Sequence, residues 1–342
     1  MFHGALVSFA ERRVIYMKKI ILYGAGTRFQ RMWSDEIFEI LNQKYGQVQI
    51  FDKDKAKLEK LDERLKVISE RELLQNVYAD ICITSERFYS SIKDELMNKG
   101  IEENQIKNKH FWMELCMNEY LKDVSFSGRG IEVGGPSKIF ESIYSRIDVQ
   151  CDGINYCEKT VWGEAKSVYS YEKRVLGKQY IGDATDMHVI NDESYNFLLS
   201  CNNLEHIANP LKALKEFVRV VKSEGNIVIM VPNKKYTFDH NREYTTFVHI
   251  LNDYKNDIDE KDLSHLKEIM KLHDLTMDKA AGTREAFVER SKNNYENRCL
   301  HHHVFSLQLL EQCAEFLGVT VVKSFTVLND FCVVYRKKGF II

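Results

Sequence analysis

The sequence predicts an α/β fold made of two consecutive domains, each built on a parallel sheet. Strand and helix patterns alternate twice along the 342 residues, which is the rhythm of βαβ units. Each alternation opens with an apolar strand that runs into a glycine turn, "ILYGAGTR" in the first and "GIEVGGPS" in the second. The length is also sufficient for two ordinary domains.

Composition narrows the class of protein. Apolar residues make up 44% of the chain and the net charge is −2, so the composition is globular and offers no basic surface for nucleic acid. No apolar run reaches the roughly 18–20 residues that span a bilayer. The eight cysteines stand singly, without a CxxC pair, which disfavours a zinc knuckle and indicates a reducing, cytoplasmic setting.

The first domain is predicted over residues 17–110, after a leader of residues 1–16 that lies outside the folded chain. Its strands are "KKIILYGAG", "VQIFDKD" and "ADICITS", which are separated by helical stretches. The helix "FYSSIKDELMNKG" follows the third strand, with Gly100 as its C-terminal cap. A linker of helix and loop, residues 111–127, leads to the second domain.

Residues 128–342 are predicted to form a sheet of seven strands. The first five are "RGIEVGG", "SRIDVQCDG", a strand before "YIGDATDM", "YNFLLSCNN" and "GNIVIMVPN", and "VTVVKSFTVL" and "DFCVVYRKK" complete the sheet. Between strands four and five, Asn209 caps a helix that has Pro210 in its first turn and ends at Gly225. Residues 233–305 form a helical insert between strands five and six, and this insert holds seven of the eleven histidines.

Both glycine turns let backbone N–H groups approach a ligand at a helix N-terminus. Gly24 and Gly26 match the first two glycines of GxGxxG, but Phe29 occupies the third position, so the dinucleotide fingerprint is incomplete. Asp52, at the end of the next strand, is a candidate for the ribose hydroxyls. Two alternatives stay open for this half: an NAD-dependent unit, and a Rossmann-like domain whose site is structural or degenerate.

Three segments of the second half, "GIEVGGPS", "GDATDM" and "LEHIANPLKALKEFVRVVKSEG", together resemble class I S-adenosylmethionine-dependent methyltransferases. The resemblance covers about residues 125–342 and implies that family's Rossmann-like sheet and its cofactor, S-adenosylmethionine. The chain departs from the family at Pro136, which stands where the motif E/D-x-G-x-G has its second glycine. "EVGGPS", "FDH" and "LHHHVF" further resemble a bacterial subgroup found among surface-polysaccharide genes. This likeness implies O-methylation of a sugar hydroxyl, on a nucleotide-activated sugar or a capsular or surface glycan precursor.

The resemblance implies a cofactor site along the carboxyl ends of the first four strands. Its residues are Glu132, Gly134, Gly135, Pro136, Ser137, Asp152, Asn155, Asp183, Ala184, Ser200, Cys201 and Asn202. Asp152 is expected at the end of the second strand, where an acid accepts the two ribose hydroxyls, with Asn155 as a second candidate. Asp183 and Ala184 match the adenine-contacting turn, and His206 is expected to be structural or to lie beside the cofactor.

The helical insert is the natural place for the acceptor, because it follows the carboxyl end of strand five. The candidate catalytic residues are Asp239, His240, Arg242, His301, His302 and His303. A neutral histidine can remove the proton of an acceptor hydroxyl, and Asp239 can hold its tautomer. Arg242 is a candidate for binding a diphosphate or carboxylate of the acceptor. If the triple histidine is extended, His301 and His303 share a side and His302 points away.

Three alternatives remain on sequence grounds. Asp239, His240, His273, Asp274 and the triple histidine include the N and O ligands of a divalent ion that could acidify a sugar hydroxyl. The fold could also serve a non-catalytic protein that only binds a nucleotide or S-adenosylmethionine. The first domain has three candidate roles: binding a nucleotide or nucleotide-sugar, forming a homodimer, or bracing the second domain.

Overall fold

The structure, a computed structural model, shows two compact units. It describes residues 19–76, 78–85, 87–327 and 329–339. The chain divides between Leu115 and Cys116, and each unit is described by itself. The leader predicted over residues 1–16 lies outside the described residues. Of the helices in the described part of the chain, none has the length and apolar character needed to cross a membrane.

The first unit contains a parallel sheet of five strands with helices between them. The strands are β1 (Ile20–Tyr23), β2 (Val48–Phe51), β3 (Lys66–Val67), β4 (Asp80–Ile83) and β5 (Ile106–Lys107). The helices are α1 (Thr27–Met32), α2 (Asp35–Tyr45), α3 (Glu70–Gln75), α4 (Tyr89–Asn98) and α5 (Lys109–Tyr120), the last of which crosses the division between the units. The strand order is β3-β2-β1-β4-β5. Every residue of β1, β2 and β4 is buried, as expected for strands covered on both faces.

The second unit is built on a mixed sheet of eight strands. Its strands are β6 (Gly128–Val133), β7 (Val149–Asn155), β8 (Lys159–Thr160), β9 (Gly163–Glu164), β10 (Val168–Tyr171), β11 (Arg174–Ile181), β12 (Tyr195–Cys201), β13 (Val221–Pro232), β14 (Thr320–Val327) and β15 (Asp330–Arg336). The order in the sheet is β10-β11-β7-β6-β12-β13-β15-β14, while β8 and β9 form a separate hairpin. Its helices are α6 (Glu141–Tyr144), α7 (Pro210–Val220), α8 (Phe247–Lys255), α9 (Leu266–Leu272), α10 (Arg284–Lys292), α11 (Asn294–Asn297) and α12 (Leu307–Leu317).

The prediction of seven strands is wrong by one, because β10 adds an eighth strand at the edge. It pairs antiparallel with β11 across a turn at Glu172, whose φ is 50°. Only Tyr169 of this four-residue strand is fully buried. A short edge strand with a single buried residue gives almost no alternating pattern in the sequence, so its signal merges with that of β11.

The predicted end of the fourth-to-fifth-strand helix is also wrong. Helix α7 begins as predicted, with the Asn209 side chain accepting a hydrogen bond from the Lys212 amide, but it ends at Val220. Gly225 instead lies inside β13, where the register with β12 shifts between Tyr195 and Phe197. A Cβ at Gly225 would lie 2.7 Å from the backbone oxygen of Asn196. The glycine therefore marks a close approach within the sheet and not a helix cap.

Helix α7 anchors the sheet beneath the carboxyl ends of its central strands. Leu211, Leu214 and Phe217 are all buried, in one apolar cluster with residues of β6, β12 and β13. Complete burial of one such side chain stabilises a fold by about 1.5–3 kcal/mol. This packing fixes the position of the strand ends, and those ends carry the candidate site.

Candidate functional site

The strand order reverses between β6 and β12, and the space beyond the carboxyl ends of these two strands is called the crevice. The chain passes from β6 to β7 and β11 on one side and to β12 and β13 on the other. Ligands of open α/β sheets bind at such a switch point. Gly134, just after β6, has a positive φ of 81°, and a Cβ there would lie 2.7 Å from the Asn203 amide nitrogen. The turns after β6 and β12 therefore touch at the bottom of the crevice.

Glu132 organises the turn that follows β6. Its carboxylate is fully buried and accepts hydrogen bonds from the Ser137 amide, at 3.0 Å, and from the hydroxyls of Tyr144 and Tyr169. Burial raises the pKa of Glu132. A Cβ at Gly135 would collide with this carboxyl group, and the bond from Gly135 to Pro136 is cis. The acid thus holds the turn in shape from inside the protein.

Asp152, which was predicted to bind the ribose from the end of its strand, lies in the middle of β7 instead. It pairs with Ile131 in the sheet, is 1% exposed, and accepts three hydrogen bonds. The donors are Arg129 Nη2 at 2.6 Å, the Tyr195 hydroxyl at 2.7 Å and the Lys178 amide at 2.8 Å. These bonds join β7 to its neighbours and hold the carboxylate within the protein.

Asn155 is the residue that occupies the end of β7. It pairs with Ile181 at the end of β11, and its carbonyl accepts a hydrogen bond from the Gly182 amide. The next turn holds Asp183, whose Oδ1 accepts hydrogen bonds from the Thr185 amide and hydroxyl. Asp183 Oδ2 lies 3.2 Å from Arg298 Nη2 of the helical insert. The structure thus brings Asn155 and Asp183 to one edge of the crevice.

The end of β12 contributes both buried and accessible groups. Ser200 is fully buried and its hydroxyl has no hydrogen-bond partner, while Cys201 ends the strand. Asn202 has a positive φ of 48° and donates its amide to the Met230 carbonyl. Ala184 packs against the core under the same edge. Burial raises the pKa of the Cys201 thiol well above its usual value, so this thiol stays protonated.

A small cavity opens between the end of β13 and the chain before α12. Its lining residues are Glu205, Pro232, Lys234, Thr237, Asp239, His301, His303, Val304 and Phe305. His301 and His303 thus share one side, as predicted for an extended triple histidine. His302 points away, with its Nε2 3.0 Å from Asn294 Nδ2.

Asp239 and His301 form a hydrogen-bonded pair in the cavity wall. His301 Nδ1 lies 2.5 Å from Asp239 Oδ2, and both side chains are buried. Burial alone would raise the pKa of Asp239, but His301 and Arg242 together lower it to about 2. Asp239 is therefore ionised at neutral pH and holds Nδ1 as the protonated ring nitrogen. The Nε2 of His301 then carries the lone pair.

Arg242, which was predicted to bind the acceptor, is held inside the protein. It is 1% exposed and its guanidinium makes four hydrogen bonds within the chain. Nη1 donates to Asp239 Oδ1 and to the His301 carbonyl, and Nη2 donates to the His302 carbonyl. Nε donates to Glu268 Oε1. Arg242 fixes the position of the Asp239–His301 pair and offers no donor to an acceptor.

His240 lies apart from the other histidines predicted to be catalytic. Its Nε2 is 2.9 Å from Asp274 Oδ2, and it is not among the residues that line the cavity. The predicted metal ligands are likewise separated into pairs, since His240 contacts Asp274 while Asp239 contacts His301. The structure therefore supports neither His240 as the base beside Asp239 nor that ligand set.

Three residues outside the predicted catalytic set lie beside the pair. Both carboxylate oxygens of Glu205 are buried and accept no hydrogen bond. The His206 ring lies 4.6 Å from that of His301 between centroids, and its Nδ1 is 3.1 Å from the Leu300 carbonyl. Trp162, at the tip of the β8–β9 hairpin, is 61% exposed and meets the His206 ring edge-on at 5.1 Å. The signal in the sequence that points to Trp162 is a tryptophan directly before a glycine, which is typical of a turn.

Comparison with known proteins assigns the two halves of the chain separately. Residues 16–107 match the family described as C2185-like, N-terminal, and residues 131–229 match the family described as methyltransferase domain. None of the curated proteins matches significantly. The fold resembles an S-adenosylmethionine-dependent methyltransferase from Aquifex aeolicus, with 14% identity, a TM-score of 0.35, and coverage of 64% of this chain and 87% of that one. It also resembles an S-adenosylmethionine-dependent methyltransferase from Methanosarcina mazei, with 12% identity and a TM-score of 0.38. That match covers 65% of this chain and 97% of the other.

Proposed function

We propose that this chain, an S-adenosylmethionine-dependent methyltransferase, methylates a sugar hydroxyl with His301 as the base. The acceptor would be a nucleotide-activated sugar or a surface glycan precursor. One observation carries the assignment of the base. The buried Asp239 carboxylate lies 2.5 Å from His301 Nδ1, inside a cavity next to the carboxyl end of β13. An imidazole that is held in one orientation near a strand end is suited to accepting a proton from a hydroxyl at physiological pH.

The crevice beyond β6 and β12 fits the cofactor. Ser200 Oγ is buried near the end of β12 without a hydrogen-bond partner, and such groups are rare in proteins unless a ligand or water satisfies them. The left-handed Gly134 brings the turn close to Asn203 and leaves the backbone open on the crevice side. When bound, S-adenosylmethionine supplies a methyl group that is already activated for displacement.

Asn155, Asp183 and Ala184 are the residues we assign to the nucleoside end. They sit at the ends of β7 and β11, where polar groups reach a ligand above the sheet. Gly134, Gly135, Cys201 and Asn202 would then line the methionine end. Asp152, Glu132 and Ser137 support this arrangement from within and do not contact the ligand.

The chain's own residues would perform three tasks in the reaction. Asp239 keeps the proton of His301 on Nδ1, so Nε2 accepts the proton that leaves the acceptor oxygen. Arg242 prevents Asp239 from turning away, because it holds the other carboxylate oxygen at 3.0 Å. The charge that forms on His301 is offset by ionised Asp239. Proton removal of this kind contributes about 10²–10⁴-fold in rate.

A sugar acceptor is supported by the surfaces around the cavity. Lys234, Thr237 and Glu205 offer donors and acceptors that match hydroxyl groups. The exposed ring of Trp162 stands beside His206 and offers an apolar face for the C–H side of a sugar ring. A flat apolar surface opposite several polar groups suits a carbohydrate better than a lipid or a protein side chain.

The test is to incubate the purified chain with S-adenosylmethionine and a panel of nucleotide-sugars and surface-glycan oligosaccharides. We expect one member to gain the mass of one methyl group in place of a hydrogen. The gain should depend on the cofactor, and Trp162→Ala should raise the KM for the acceptor by about tenfold with little change in kcat. Methylation of amines or thiols alone, under the same conditions, would show that the hydroxyl assignment is incorrect.

A further inference from the structure

A second histidine cluster lies in the helical insert, separate from the Asp239–His301 pair. It comprises His249 and Asp253 of α8, His265 at the start of α9, and His303 just before α12. The three histidines each offer a ring nitrogen, and these nitrogens all lie within 4.8 Å of one another. Residues from three separate segments of the chain therefore converge at one point. The mechanism proposed above uses none of their ring nitrogens.

The distances within this cluster match those of a tetrahedral ion site. His249 Nε2 lies 3.1 Å from His265 Nε2 and 3.4 Å from Asp253 Oδ2. Ligands about 2.0–2.1 Å from a tetrahedral zinc ion stand about 3.3–3.5 Å apart. His249 and Asp253 are four residues apart on one helix, so their side chains project from the same face.

Two buried groups at the cluster have no hydrogen-bond partner. Asp253 Oδ2 accepts no hydrogen bond, and neither does His303 Nδ1, although His303 is 1% exposed. His303 Nε2 lies 3.1 Å from the Ala208 carbonyl and 3.7 Å from Asp253 Oδ2, so this ring reaches the carboxylate of the cluster.

The chemistry of the ligand set also favours a transition-metal ion. Three imidazoles and one carboxylate supply nitrogen and oxygen ligands of the kinds that zinc binds in proteins. Zinc takes four such ligands in a tetrahedral arrangement.

We propose that His249, Asp253, His265 and His303 bind one zinc ion, which ties helices α8 and α9 to the chain before α12. His303 also lines the acceptor cavity, so the ion would fix one wall of that cavity. The proposal is independent of the identity of the acceptor and of the base. It concerns a structural ion, because four protein ligands close the coordination sphere.

The test is zinc binding to the full chain after removal of metal with a chelator. Titration against a chromophoric zinc indicator should give one equivalent of zinc per chain, and cobalt should give the intense visible bands of a tetrahedral site. Zinc should also raise the Tm of the metal-free protein. His265→Gln should weaken zinc binding by at least about 100-fold, since changes outside the ligand shell alone cost 10–100-fold.

Three further variants locate the ion and guard against misfolding. His249→Gln changes a ligand whose side chain is 42% exposed, and it should lose zinc even if His265→Gln fails to fold. His188→Gln alters an exposed histidine outside the cluster and should bind zinc as the wild type does. His301→Gln should also keep the ion, whatever happens to methyl transfer.

Two results would overturn the proposal. If the wild type binds no zinc and its Tm is unchanged by zinc, the cluster is held by a hydrogen bond between His249 and His265 alone. If His301→Gln loses the ion while His249→Gln keeps it, the ion belongs to the group formed by Glu205, His206 and His301. Neither result depends on whether a sugar is methylated, so this proposal and the proposed function can fail separately.

Discussion

The two glycine turns of the chain begin alike, yet a carboxylate holds each of them in a different way. In the first unit, Asp52 comes from the neighbouring strand and accepts the Ala25 amide at 2.8 Å. In the second, Glu132 belongs to the strand that leads into the turn and is fully buried beneath it. A carboxylate on a turn amide occupies the place where a dinucleotide would put its phosphates. S-adenosylmethionine carries no phosphate, so the second turn does not face that conflict.

The third glycine position of the first turn sharpens this contrast. Phe29 is buried there and stacks on Trp33 with ring centroids 5.2 Å apart. The other Asp52 oxygen accepts the Asp54 amide, so both oxygens serve the backbone. The first turn has the glycine pattern closer to GxGxxG. Its Ala25 amide and both Asp52 oxygens are nevertheless already used in hydrogen bonds within the protein. The glycine pattern alone therefore does not rank the two turns as cofactor sites.

The largest expected effect is a loss of kcat on substitution of His301→Gln in the second unit. This change removes the proposed base in the second unit and should lower kcat by about 10²–10⁴-fold. The Kd for S-adenosylmethionine should stay within about twofold, because His301 lies on the acceptor side. His240→Gln is the matched variant and should keep most of the turnover. Single-turnover experiments measure the rate of methyl transfer in the two variants. Equal losses of rate would contradict the assignment of His301 alone as the base.

Glu132→Ala should produce the largest loss of stability. It leaves the Ser137 amide and the hydroxyls of Tyr144 and Tyr169 without their acceptor in a buried place. Since each such orphaned group costs about 1–3 kcal/mol, we expect a loss of about 3–5 kcal/mol in the free energy of unfolding. Urea denaturation measures this loss. Glu132→Gln keeps one acceptor oxygen and should lose less, and a loss below about 1 kcal/mol for Glu132→Ala would contradict the role of the acid.

The pH dependence of stability should reveal the half-buried acid Asp330 at this edge of the second sheet. Burial raises the pKa of Asp330 from 3.8 to about 7, partly opposed by a hydrogen bond from Asn202. The folded protein then holds a proton that the unfolded chain releases, so stability falls as the pH rises from about 4 to 7. The slope from this group approaches about 1.4 kcal/mol per pH unit. Asp330→Asn should remove that part of the slope, and urea midpoints at pH 5, 6 and 7 would show an unchanged slope if Asp330 does not titrate there.

The smallest effect is expected at the first turn. Asp52→Ala removes two hydrogen bonds at a side chain that is 12% exposed, and water can replace part of them. The loss in the free energy of unfolding should be about 1 kcal/mol. Calorimetric titration of the wild type with NAD should give no binding. If the wild type binds NAD and Asp52→Ala does not, the first turn is a dinucleotide site and the contrast between the two turns is incorrect.

Local signals in the sequence predicted much of the fold. Asn209 and Pro210 mark the start of α7, and its apolar spacing gives the buried face. Glycines after β1 and β6 mark the strand ends that carry the turns. The methyltransferase domain and its cofactor could be predicted because the motifs lie within about a hundred residues of one another.

Long-range pairings could not be predicted from the sequence. Asp239 and His301 are 62 residues apart, and nothing local distinguishes that pair from Asp239 with His240. The depth of Asp152 in its strand also escaped prediction, because the end of β7 depends on its pairing with β11. The charge of Arg242 suggested a ligand, whereas its burial against two backbone carbonyls is a property of the fold alone.

The contacts of Arg242 have a consequence for how this protein can diversify. Its guanidinium binds carbonyls 59 and 60 residues further along, so residues 243–300 begin and end at one fixed point. The segment is a loop whose two ends are held together. Doubling the length of such a loop adds only about 0.6 kcal/mol of closure entropy. The length and sequence of residues 243–300 can therefore change while the residues that line the cavity, which all lie outside this segment, keep their places.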